Sequence, residues 1–213
     1  MRGDPRVRLQ IAREAAKLMV EEGVRSYFDA KRIAGRRVLR ATPRERDLPS
    51  NGEIRDQVLA LVAWTEGEDR VHRLFLMRVE ALVVLRALDA WHPRLIGSVW
   101  SGHARAGSDI DVHLFGELDA ITTDLDARGW RYTPREVLIR TSTGFRTYHH
   151  LERTDRPFVV ELSVYPLSER RVTTRSSVDG RPIDRVSAAR LAQRLRDEHP
   201  DAFAAWCAEH GEG

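Results

Sequence analysis

The chain has 213 residues, of which 42% are hydrophobic and 31% charged, with a formal net charge of +3 and a single cysteine, Cys207. That length suits one large domain or a small two-part protein, and the apolar content suffices for a packed core. No apolar run approaches the ~18 residues of a membrane span, the arginine-rich start carries Asp4 and Glu14 and so differs from a secretory or transit leader, and one cysteine excludes an internal disulfide and a cysteine-based zinc cage.

The expectation is therefore a cytoplasmic protein without a membrane partner. Of the 35 basic side chains only Lys17 and Lys31 are lysines. Arginine is the better fork for phosphate, but codon bias explains such an excess more simply, so abundance alone does not indicate a nucleic-acid partner.

In chain order, the first ninety residues read as helical. Ile11, Ala15, Leu18 and Met19 form one stripe, with Gly23 as a C-cap. Val24 to Arg40 is predicted as a second helix, followed by a polar, proline-flanked link over 41–49. Ser50 and Glu53 form a capping box ahead of Ile54, Val58, Leu61 and Val62. A longer helix is predicted from Asp69 to Ala90, apolar around much of its circumference and so the most buried.

The pattern changes at Pro93. Arg94 to Ile96 reads as a strand entering a turn at Gly97, with a helix over Val99 to Ala104 and Ser98 as its candidate N-cap. Asp109 to Phe115 alternates, Ile110, Val112 and Leu114 facing one way and Asp109, Asp111 and His113 the other. A helix follows over Leu118 to Arg128, then strands over Arg135 to Arg140, Arg146 to Leu151 and Pro157 to Tyr165. Pro166 to Arg185 is irregular, and Ser187 to Glu198 and Asp201 to Glu209 are terminal helices. The expected division is a helical region over 1–92, a sheet-bearing domain over 93–186 and C-terminal helices over 187–213, an α+β protein with a mixed sheet.

Two carboxylates two residues apart on a strand share one face and can converge on hard cations; magnesium accepts such oxygen donors together with substrate phosphates. Asp109 and Asp111 have this spacing. An Asp-x-Asp arises often by chance in a chain with 32 acidic residues, and its value here comes from Gly97-Ser98 upstream. Glycine allows close approach of the backbone to a phosphate, and a turn opening a helix offers free N–H groups.

Ile96-Gly97-Ser98, nine residues, then Ser108-Asp109-Ile110-Asp111-Val112 resembles the signature of the polymerase-beta-like nucleotidyltransferase superfamily. Gly102, Arg105 and Ser108 fall where small bacterial members have glycine, a basic residue and serine, whereas Ser101 stands where an arginine is typical. The resemblance covers Pro93 to Val164, and the whole layout is similar to bacterial proteins with a nucleotidyltransferase domain behind a helical N-terminus. It implies an α+β fold with a largely antiparallel mixed sheet of nucleotidyltransferase type, preceded by the all-helical region. It also implies a third carboxylate on a later strand, and the matching position is Glu161 in Phe158 to Val164, where most members have aspartate. Whether Glu161 is a metal ligand, a general base or both stays open, beside a salt bridge to Arg140 or Arg146. Glu152 and Asp155 are weaker alternatives.

The activity so implied is transfer of a nucleoside monophosphate from a triphosphate, with ATP the expected donor, to a hydroxyl acceptor with release of pyrophosphate. The implied cofactor is Mg2+, as two ions, with Mn2+ as a substitute. Asp109, Asp111 and Glu161 would hold metal, and Gly97, Ser98, Arg105 and Ser108 would hold the nucleotide. Arg140 and Arg146 are further candidate phosphate contacts.

His113 reads as a hydrogen-bonded bystander, and His149-His150 as a strand edge without the third ligand a zinc site needs. The five tryptophans read as packing residues, with Trp100 a candidate wall of a base pocket. The acceptor is open among protein, RNA and small molecule. Eight basic residues between Arg25 and Arg46 suit an RNA contact, although charge runs are more often solvated helix faces. Two other readings are an antitoxin or defence protein that adenylylates a partner, and a catalytically idle nucleotide- or RNA-binding module.

Overall fold

A computed structural model describes residues 4–141, 144–173, 175, 180 and 182–211, with 63–66, 68 and 139–141 described by backbone alone. The chain divides into two compact units. One comprises Met1–Asp69 with Arg175–Pro182; the other comprises Arg70–Thr174 with Ile183–Gly213.

The first unit is built on helices. α1 (Pro5–Val20) begins at Asp4, whose carboxylate accepts from the Arg6 N–H, and proline occupies its first position, where a missing N–H costs nothing. α2 spans Tyr27–Leu39 and starts later than the expected Val24 because the Ser26 hydroxyl caps it by accepting from the Asp29 N–H. Gly23 lies beyond the α1 cap, Glu21, with φ +71°, and is a turn residue.

α3 runs over Asn51–Ala87 and is broken at Gly67, whose φ of 43° and ψ of −128° are not helical. This break matches the expectation of two successive helices. The capping box is present: the Glu53 N–H donates to Ser50 Oγ at 3.2 Å and the Ser50 N–H donates to Glu53 Oε2 at 2.7 Å. Ile11, Ala15, Leu18, Ala30, Ala34, Ile54, Val58 and Val62 form the core of this unit.

Arg8 Nη2 lies 2.5 Å from Glu53 Oε2. Partial burial pushes the Glu53 carboxyl up, but Arg8 and the two Ser50 donors outweigh it and hold the group down at about 2. A carboxyl depressed on folding stabilises above its ordinary pKa and loses that contribution as pH falls toward its folded value. Thermal melts of wild type and Glu53→Gln are therefore expected to differ most above pH ~5 and to converge by pH ~2.

The second unit carries a five-stranded sheet in the order β1-β2-β5-β4-β3. Its strands are β1 (Arg94–Leu95), β2 (Ile110–Phe115), β3 (Thr133–Thr141), β4 (Gly144–Arg153) and β5 (Val160–Tyr165). β2 and β5 are parallel and the other neighbouring pairs antiparallel, so the protein is α+β with a mixed sheet.

Alternation fixes the two faces. Ile110, Val112 and Leu114 of β2, Val160, Leu162 and Val164 of β5 and Leu151 of β4 enter one apolar core. That core also takes Met77, Leu82, Leu85 and Leu88 of α3, Ile121 and Leu125 of α5 (Leu118–Ala127), Leu191 and Leu195 of α6 (Ala188–Glu198) and Phe203 of α7 (Pro200–His210). The later part of α3 is thus largely buried, as a pattern apolar around much of its circumference requires. Asp111 and Glu161 lie on the opposite, polar face.

The short helix α4 spans Gly97–Ser101, not Val99 to Ala104. Gly102 stops it in a left-handed conformation at φ +80°, its N–H returning to the Ser98 carbonyl. Ile96 holds the cap position and the Ser98 hydroxyl caps nothing, because the backbone turn is made at Gly97.

Candidate functional site

β1 and β2 pair as adjacent antiparallel strands, and the Ile96 N–H donates to the Asp111 carbonyl at 3.0 Å. This brings the Gly97-Ser98 turn onto Asp111. Gly97 has φ +72°, and a Cβ built on it would fall on Asp111 Oδ2. The sequence spacing thus becomes a direct approach of an exposed turn to a carboxylate. Gly97→Ala is expected to destabilise the unit by about 1–2 kcal/mol from the left-handed backbone alone, and to displace Asp111. Thermal melting reads the first effect and a titration with magnesium–triphosphate the second.

The parallel pairing of β2 and β5 sets Asp111 opposite Glu161 in register, about 5 Å apart at the backbone. Asp109 lies two residues before Asp111, just ahead of β2. Burial first, then Asp109, then Glu161, push the Asp111 carboxyl up to about 7. Three carboxylates therefore sit close enough to repel. Neither Asp109 nor Asp111 has a hydrogen-bonded or ion-paired side-chain partner among the described residues. Glu161 differs: His150 Nδ1 lies 2.7 Å from its Oε1. That hydrogen bond lowers the Glu161 carboxyl against the opposing effect of its partial burial.

These hard oxygen donors, crowded together with no hydrogen-bond or ion-pair side-chain partner at Asp109 and Asp111 among the described residues, fit a divalent cation. Among the described residues no group of three or more His, Cys, Asp or Glu side chains is already arranged as a metal cage. Asp109 and Asp111 fit as the primary donors, and Glu161, restrained by His150, as a flanking charge.

Arg105 and Ser108 form a turn of their own. The Arg105 N–H donates to Ser108 Oγ and the Ser108 N–H to the Arg105 carbonyl, both at 3.0 Å. The Ser108 hydroxyl thus shapes the approach to Asp109, and the Arg105 guanidinium has no hydrogen-bond or ion-pair partner among the described residues.

Arg146 is exposed and pairs with Glu169. On β4 it stands six residues from Glu152, the register partner of Glu161, or roughly 20 Å along the strand. The alternative reading of Glu161 as a salt-bridge partner of Arg146 therefore does not hold, and Arg146 belongs to the far end of the sheet. The Arg140 and Trp64 side chains lie outside the described residues. Glu152 pairs with Arg135 and Asp155 with Arg153, so both alternatives to Glu161 are otherwise engaged.

His113 is buried on the polar face, where Arg185 Nε donates to its Nδ1 at 3.2 Å. Burial, then the Arg185 charge, push its imidazole down to about 3, so it is neutral and an acceptor. His149 and His150 are not on an edge: β4 lies between β3 and β5. Period-two alternation separates the two rings, and His150 alone reaches Glu161.

Trp100 is flanked by guanidiniums, Arg194 at 4.5 Å and Arg190 at 5.0 Å from its ring centre, and with Trp91, Trp130 and Trp206 it packs against the core. That engagement suits packing better than a base pocket.

Sequence reasoning missed the anchoring of α4. Arg78, 1% exposed, donates from Nε to the Val99 carbonyl at 3.1 Å and from Nη2 to the Trp100 carbonyl at 3.3 Å, while its Nη1 meets Glu198 Oε2 at 2.5 Å. Arg194 adds a bond to the Trp100 carbonyl at 2.6 Å, and Arg70 reaches the Gly102 carbonyl. Cations at a helix C-terminus satisfy its orphan carbonyls. Three arginines hold this end while Gly97, at the other, faces Asp111. The available signal was an arginine, with Glu80 the other charged residue, inside the otherwise apolar stretch Phe75 to Leu85.

Comparison of the chain with protein-family models, curated proteins and solved structures finds no match. No helix among the described residues is long and apolar enough to cross a membrane.

Proposed function

We propose that the protein is a metal-dependent nucleotidyltransferase with its donor site at Gly97, Ser98, Asp109 and Asp111. The observation that carries this reading is the contact of the Gly97 backbone with the Asp111 carboxylate, beside Asp109 and Glu161. A polyphosphate needs backbone that can approach closely, and a cation beside it needs oxygen donors; these occur together here. The superfamily resemblance of the Gly97-Ser98 and Asp109-Ile110-Asp111 segments supports the same assignment.

In the reaction, the acceptor hydroxyl oxygen attacks the α-phosphorus of the triphosphate. One P–O bond forms, the bond to the bridging oxygen breaks, pyrophosphate leaves and the hydroxyl proton passes to solvent. Two divalent ions, bound there, would supply charge neutralisation and lower the pKa of the hydroxyl. Asp109 and Asp111 would hold them. The Gly97 and Ser98 backbone, with the Ser98 hydroxyl, would seat the β- and γ-phosphates. Arg105, without a carboxylate partner among the described residues, would contact phosphate oxygens. Glu161, held ionised by His150, would add negative charge on the acceptor side. Such an ionised group suits a cation better than it suits proton abstraction near neutral pH.

The acceptor can be identified by incubating the protein with Mg2+ and each α-labelled nucleoside triphosphate, alone and with cell RNA and cell protein. Label is expected on one acceptor class, dependent on metal and lost in the Asp109→Ala, Asp111→Ala double variant. Labelling by none of the four triphosphates, or undiminished labelling by the double variant, would contradict the reading.

A further inference from the structure

We infer that the exposed face of α2, with the segment folded onto it, binds single-stranded RNA. The whole chain carries +3, yet residues 25–46 hold eight basic side chains against only Asp29 and Glu45, so the remainder is net negative. The structure sorts these charges. Arg37 is neutralised by Glu14 and Glu22, Arg46 faces Asp47 at 3.9 Å, and Lys31 is half-buried. Arg25, Arg32, Arg36, Arg40 and Arg44 are exposed, and none has a carboxylate partner among the described residues.

Four exposed positions recur at i+4 along α2 and into its cap: Phe28, Arg32, Arg36 and Arg40. They form a slowly winding stripe about 18 Å long, long enough to follow several phosphates. Phe28 is 61% exposed at one end, with the Arg32 guanidinium 5.2 Å from its ring centre. Gly35 extends the patch sideways. A Cβ there would lie 2.8 Å from Pro43 Cγ, so its absence lets the segment after α2 pack against the helix with Arg44 on it.

Unpaired arginines beside one exposed aromatic ring match a phosphodiester chain whose splayed bases can stack. A lone stacking ring reads an unpaired base rather than a duplex groove, and unpaired bases are the ordinary state of RNA loops and ends. The apolar side of α2, at Ala30, Ala34 and partly Ile33, is committed to the core of its own unit. Among its described residues α2 has no second apolar face to enter a bilayer.

The test is fluorescence anisotropy of a labelled 12-nucleotide uridine RNA with the full chain across a salt series. Wild type is expected to bind with a slope of log K against log salt near about −3, as four or five neutralised phosphates give for a single strand. Arg32→Ala, Arg36→Ala should weaken binding at least about tenfold at low salt and flatten the slope by about 1.4. Phe28→Ala should weaken it roughly tenfold or more and leave the slope unchanged. All three substitutions lie on the exposed face, so melting temperatures should hold; a further variant, Arg25→Ala, should flatten the slope by about 0.7. Absence of binding, or unchanged affinity and slope in the arginine variants, would overturn the inference. So would tighter binding to the matching DNA strand, or to phosphatidylserine vesicles with Phe28 dispensable.

Discussion

Asp111→Asn is expected to make the metal-free protein more stable while removing its response to magnesium. In the wild type, burial and the neighbouring Asp109 and Glu161 hold the Asp111 carboxyl at about 7. The folded state therefore keeps a proton that the unfolded state releases near pH 4. Stability falls as pH rises from ~4 to ~7 and is flat above that range. Asparagine carries no charge at any pH, so its advantage is near zero at pH 4 and complete at pH 8. At 1.36 kcal/mol per decade the shift sets an upper bound of about 4 kcal/mol, and relaxation of the half-buried site reduces this to roughly 2 kcal/mol. For a domain of this size that is about 4–8 °C in melting temperature. Added Mg2+ should raise the melting temperature of the wild type and leave the variant unchanged. Loss of stability in Asp111→Asn at pH 8 would mean that the carboxylate has a structural partner. Such a trade, stability given up at a charged site, is the ordinary cost of a ligand-binding cluster.

The second large effect concerns Arg78. Its guanidinium is buried and spends its donors on the Val99 and Trp100 carbonyls and on Glu198. Arg78→Ala removes two charge-assisted bonds to carbonyls and leaves a cavity where the guanidinium packed. The expected loss is about 3 kcal/mol, or roughly 6–12 °C in melting temperature. Lysine restores the charge but not the fork, so Arg78→Lys should recover only part of it. Because the carbonyls belong to α4, triphosphate binding at Gly97 should weaken in both variants. A change below about 1 kcal/mol in Arg78→Ala would show that α4 is held by its other contacts alone.

Much of this layout was legible from local patterns. Ser50 and Glu53 announced a helix start, and the alternation of Ile110, Val112 and Leu114 announced a strand with Asp111 on its other face. These signals depend on a few neighbouring residues and fixed periods. The sheet order did not lie in such windows. That β5 rather than β4 runs beside β2 sets Glu161 opposite Asp111, and it follows from packing of the whole sheet.

The role of His150 was hidden for the same reason. Two adjacent histidines read alike until the pairing of β4 with β5 shows which shares a sheet face with Glu161. Arg146 failed in the opposite way: composition made it a candidate cation, and only the register shows it far along β4. The early stop of α4 turned on the left-handed backbone of Gly102, which a helical pattern continuing to Ala104 did not anticipate. Arg78 could have been found, since a cation in a largely apolar stretch of helix needs partners for the same physical reason that drew attention to Glu161.

The central claim is that Asp109 and Asp111 hold the metal through which a triphosphate binds beside Gly97. Its most direct measurement is calorimetric titration of ATP into the protein, with Mg2+ and with chelator, for wild type and for Asp109→Ala, Asp111→Ala. The expected result is binding by the wild type only when Mg2+ is present and no measurable binding by the double variant, whose melting temperature stays at or above that of the wild type. Equal binding of magnesium–ATP by the two proteins would contradict the account.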